Sequence, residues 1–129
     1  MKNLQQNHQT QDALSDQWGQ EFANSWLVAW NSHDVDQILD YYADDLVMLS
    51  PVVNEMTGSS EGVRLDKPGL RNMCARIFQE IPELQFSLAA VAVGINSLTI
   101  HYTSSECDMV ADVMKFDDRW KITKSHTYY

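Results

Sequence analysis

Positive charge is scarce in this chain: 9 Lys and Arg stand against 18 Asp and Glu, a formal charge of -9. Phosphate backbones and anionic lipid surfaces would be repelled, so neither nucleic acid nor a membrane is an expected partner. Long apolar runs are missing as well. Nothing approaches the ~18 consecutive apolar residues of a membrane span, and the polar start MKNLQQNHQTQD lacks the apolar stretch of a secretory leader, which makes a cytoplasmic location the expectation. Cysteine is limited to Cys74 and Cys107 without CxxC spacing, so both read as reduced thiols and neither a zinc site nor a disulfide framework is expected. His8, His33, His101 and His126 form no HxH or HExxH group. No GxSxG, GxGxxG, phosphate-loop or calcium-loop pattern occurs either, so no metal and no cofactor are expected.

What is present suffices for one core. With 129 residues, 44% apolar and 10% aromatic, the chain fits a single domain over residues 13–129 behind a flexible Gln- and Asn-rich lead-in over 1–12. From Leu14, the aromatics Trp18, Phe22, Trp26 and Trp30 recur every four positions and predict a long amphipathic helix. Asn31 to His33 break it, and Asp34 with Gln37 has capping-box spacing for a second helix whose face is Val35, Ile38, Leu39 and Tyr42. Leu46 to Ser50 reads as a strand ended by Pro51, and Asn54 to Asp66 as a loop. A third helix follows, with Asp66 as cap, Pro68 in the first turn, an apolar face from Leu70 to Ile81, and Pro82 as stop.

Beyond Pro82 the period changes to two. Segments 84–93, 97–104, 109–116 and 120–128, separated by short polar breaks, predict an antiparallel meander. The resulting fold class is α+β: three helices on one face of a curved antiparallel sheet enclose a pocket, and the other face, bearing Thr99, His101 and Thr103, is open to a homodimer.

The third meander strand carries the main candidate. Its alternation puts Asp112 beside Val110, Met114 and Phe116, on the more apolar side. Turned toward the helices, this carboxyl would be desolvated, its pKa would rise, and in the neutral form it would donate a hydrogen bond to a ligand oxygen. The alternative is an Asp near a strand end, paired with an amide, Lys or Arg. His126 alternates with Trp120 and Ile122 and is a candidate base; the competing reading is a half-buried strand histidine bonded to its neighbours. His101 falls on the outer side. Trp26 and Trp30 are core residues first and pocket lining second, with Met48, Ser50 and Met114 completing the candidate ligand-binding set.

The stretch WLVAWNSHDVDQILDYYADDLVMLSPV, Trp26 to Val52, resembles the SnoaL-like polyketide-cyclase and ketosteroid-isomerase-like branch of the nuclear-transport-factor-2-like superfamily, and the likeness resumes at ADVMKF and WKI. The resemblance implies a cone-shaped fold with one pocket. In ketosteroid isomerase, a tyrosine and a neutral aspartic acid hold the substrate oxyanion while a second aspartate moves the proton. By that match Asp112 takes the place of the oxyanion-binding acid, Trp26 stands where the tyrosine would be, and Ser50 stands where the base would be. A serine hydroxyl is a poor base. Two function classes therefore remain: a pocket that binds a small apolar carbonyl compound, or an isomerase, cyclase or dehydratase that uses Asp112 as acid or oxyanion donor.

Overall fold

The structure, a computed structural model, describes residues 15–129. The expected lead-in over 1–12 and the helix start at Leu14 lie outside them. The chain runs α1 (Asp16–Ser32), α2 (Val35–Leu39), β1 (Tyr42–Leu49), α3 (Pro51–Thr57), β2 (Val63–Asp66), α4 (Lys67–Glu80), β3 (Phe86–Val93), β4 (Ser97–Ser104), β5 (Val110–Phe116) and β6 (Ile122–Tyr128). The strands form one sheet in the order β2-β1-β6-β5-β4-β3. The fold is the expected α+β cone, with helices packed on a curved, open sheet.

Three elements differ from the sequence reading. The second helix stops at Leu39, and Tyr42 opens a strand instead of closing a helix face. Two distant lysines explain the stop: Lys67 Nζ donates to the Leu39 carbonyl and Lys121 Nζ to the Asp40 carbonyl, satisfying the helix end from outside. The segment Asn54 to Asp66, expected as a loop, holds the end of α3, which starts at Pro51, and the edge strand β2. Ser50 Oγ accepts from Val53 N at 3.1 Å, Pro51 fits the first turn, and Gly58 ends the helix at φ 73. Finally, the sheet is not purely antiparallel. β1 pairs in parallel with β6, because α4 carries the chain from β2 to the far edge and the meander then returns to β1.

The α1 helix is held close to the sheet at both ends. At Gly19, an added Cβ would lie 2.7 Å from Val93 Cγ2, so only glycine permits this approach. At the other end, Asn31 mimics a neighbouring strand: its Oδ1 accepts from Phe86 N at 2.7 Å and its Nδ2 donates to Phe86 O at 2.9 Å. His33, in the left-handed region at φ 60, turns the chain, stacks on Phe78 and bonds the Leu84 carbonyl.

Candidate active site

Between α1, α3, α4 and the inner face of the sheet lies a cavity of about 240 Å³. Its walls are mostly apolar, and no Lys, Arg or His lines it. Of the candidate ligand-binding residues, Trp26 and Trp30 line it from α1, Met48 from β1 and Ser50 from the α3 cap. Met114 does not line the cavity. It faces inward but is fully buried in the core beyond it.

Asp112 stands in the cavity wall and is 4% exposed. The neighbouring strand supplies its partners: Ser125 Oγ donates to Oδ1 at 2.8 Å and Thr127 Oγ1 to Oδ2 at 3.2 Å. Desolvation dominates the balance. Burial raises the Asp112 pKa to about 6, against the opposing pull of the Ser125 and Thr127 hydrogen bonds. The alternative of an Asp held by a cation does not apply, since no ion pair involves it among the described residues.

A tyrosine joins this acid from an unexpected element. Tyr42, at the start of β1, is 2% exposed and accepts from Trp26 Nε1 at 3.3 Å. Burial, and next the nearby Asp112 charge, push its hydroxyl pKa well above the ordinary range. Tyr102, on the neighbouring strand β4 and paired with Val110, is shifted upward for the same two reasons. The phenols are therefore donors across the physiological range. Trp26 thus does not address a ligand with its own N–H; it orients the Tyr42 oxygen.

His126 lies outside the cavity, on the opposite face of β6 from Ile122. The register explains why: Phe116 pairs with Ile122 but Lys115 pairs with Lys124, so Thr123 is an extra, bulged residue. Strict alternation from Ile122 would bring Lys124 and His126 inward; the bulge brings Ser125 and Thr127 instead. The His126 ring is half-buried in a shallow outer depression, stacked on Tyr128 at 4.1 Å, with Nδ1 3.0 Å from the Tyr128 hydroxyl. His101 is on the outer face, as alternation placed it. Sequence reasoning missed Tyr42, Tyr102, Ser125 and Thr127. Tyr102 was findable from its alternation with Leu98 and Ile100, whereas Ser125 and Thr127 required the bulge.

Among the described residues, no three His, Cys, Asp or Glu converge as metal ligands. No helix there is long and apolar enough to cross a membrane.

Comparison with known proteins bears on this arrangement. No curated protein sequence matches the chain. A solved SnoaL-like protein of unknown function from Burkholderia thailandensis is 30% identical, covering 91% of this chain and 98% of its own, with a TM-score of 0.84. The epoxide hydrolase/cyclase-like enzyme SalBIII, described for pyran ring formation in the polyether salinomycin, is 14% identical over 88% of this chain and 92% of its own, TM-score 0.66. A protein with a ketosteroid isomerase-like fold from Catenulispora acidiphila, solved with trimethylamine, is 15% identical over 84% and 85%, TM-score 0.67. The family model of the SnoaL-like domain matches residues 23–123. The chain therefore belongs to the SnoaL-like family.

Proposed function

We propose that the cavity binds a small, mainly apolar molecule whose carbonyl-type oxygen accepts a hydrogen bond from Asp112 in its protonated form. The observation that carries this reading is a buried carboxyl in an apolar wall, already served by two hydroxyl donors and facing no cation. Size supports it too. An apolar cavity of about 150 Å³ accepts one benzene, so this one has room for roughly ten heavy atoms. The remaining contacts would come from the rings of Trp26, Trp30, Phe86 and Tyr102.

The test is the sign of the pH dependence. A ligand that requires the acid form binds at full strength below the Asp112 pKa of about 6 and loses affinity about tenfold per pH unit above it. Calorimetric titration with a neutral ketone from pH 5 to 8 should give this slope in the native protein and a flat profile in Asp112→Asn. Affinity that rises through pH 6 would mean that the carboxylate is the binding form, and the reading would fall.

Turnover is the second reading, favoured by a pKa that leaves both forms of Asp112 populated near neutrality. Two carboxyls line the cavity, the exposed Glu106 and the buried Asp112, and Asp112, set deep in the wall between two hydroxyl donors, is the one placed to give a proton and take one back. Deuterium entering the α-position of a bound ketone in D₂O, and failing to enter with Asp112→Asn, is the expected mark of this activity. Incorporation that survives the substitution would exclude Asp112 as the group responsible.

A further inference from the structure

The cavity holds more hydrogen-bond donors than one carbonyl oxygen can accept. Trp30 Nε1 is buried and has no partner among the described residues. Trp30 and Tyr42 line the same cavity, Trp30 from α1 and Tyr42 from β1. Tyr42 uses its oxygen to accept from Trp26, and its own hydroxyl proton meets no acceptor among the described residues. Together with the acid proton of Asp112, which rests on the reading above, these make three donors in one largely apolar enclosure.

A carbonyl oxygen has two lone pairs and takes two donors well. A third donor left buried and unpaired costs free energy that a matching ligand would recover. We infer that the natural ligand carries two oxygen acceptors close together, as in a lactone, an ester or an adjacent diketone, with Trp30 N–H and Tyr42 O–H serving the second oxygen and Asp112 the first. Trp30 is then a specificity-determining residue, distinguishing doubly from singly oxygenated molecules of the same shape. Its ring supplies apolar wall to both kinds; only its N–H discriminates.

The experiment compares two probes of nearly equal shape, camphor with one carbonyl and camphorquinone with two adjacent carbonyls. Binding is measured by calorimetry at pH 5, where Asp112 is protonated, in the native protein and in Trp30→Phe, which keeps an aromatic ring and removes the N–H. Native protein should prefer camphorquinone, and Trp30→Phe should weaken camphorquinone by about fivefold to tenfold while leaving camphor nearly unchanged. Equal weakening of both probes, or of neither, would overturn the inference: in the first case Trp30 acts only as wall, and in the second a water molecule satisfies its N–H. Either result leaves the Asp112 reading standing provided that camphor binds with the expected pH slope. Failure of both probes to bind at pH 5 would sink the two together. Trp30→Leu, with circular dichroism as a check on folding, separates loss of the ring from loss of the donor.

Discussion

The two halves of α1 carry the same aromatic stripe and meet opposite fates. At the N-terminal half, Trp18 and Phe22 stack at 5.0 Å and close edgewise on Phe116 at 5.6 and 5.1 Å, with Tyr41 and Trp120 filling the flanks. At the C-terminal half, Trp26 and Trp30 touch Phe86 and Tyr102 but leave the cavity between themselves and Asp112. The difference is made by the sheet. Opposite the filled half, the inward positions are Phe116 and Ile122; opposite the hollow half, they are Asp112, Ser125 and Thr127, which are too short to reach across and too polar to be packed over without hydrogen bonds. Helical spacing tells which side of α1 is covered, and the facing strand decides whether the covered space is solid.

The sharpest test of that contrast is to hollow out the filled end. Phe116→Ala should cost about 3 to 5 kcal/mol in denaturant unfolding, because three rings lose their edge contact and the site cannot collapse. Ligand affinity at saturating folded population should stay the same. If the stability loss is small, the two halves are not as different as their geometry indicates.

A smaller effect with the opposite sign is expected at the hollow end. The folded-state pKa of Asp112 is raised from 3.8 to about 6, so the native state alone takes up a proton between those values. The ionised form therefore opposes folding by about 3 kcal/mol above pH 6, a penalty that fades as pH falls through 6 and is gone below about 4. Asp112→Asn should be more stable than the native protein at pH 8 by up to that amount and equal to it at pH 4. Melting curves at the two pH values read the difference directly, and a variant less stable at pH 8 would mean that Ser125 and Thr127 compensate the charge fully.

The smallest change lies at the rim. Ser50→Ala removes the α3 cap and should cost about 1 kcal/mol, with little effect on pH-dependent ligand affinity. A large loss of affinity would instead place the Ser50 hydroxyl in direct contact with the ligand.

Local regularities were legible in the sequence where neighbours in the chain are also neighbours in space. The α1 stripe, the α4 cap and stop, the alternation of β4 and β5 and the inward turn of Asp112 all follow from nearby residues. The rest depended on partners far along the chain. The early end of α2, and with it the entry of Tyr42 into a strand and the cavity, rests on lysines 28 and 81 residues away. The inward turn of Ser125 and Thr127 rests on one bulged residue that no polar pattern marks. α3 is a different case: Ser50 followed by Pro51 is a helix-start signal, overridden in the reading by the Gly- and Ser-rich stretch behind it.

Ser50 also bears on how readily this pocket could change its chemistry over evolutionary time. Its side chain does structural duty as the cap of α3 while standing in the cavity wall. Aspartate caps a helix about as well as serine, so Ser50→Asp would keep the first turn of α3 intact and install a second carboxylate within the same enclosure as Asp112. Two acids in one low-dielectric space resist ionising together, which drives their pKa values apart and leaves one as proton acceptor beside the other as donor. A single substitution compatible with the α3 cap would thus set a second acid beside Asp112, without any change to the elements that build the enclosure.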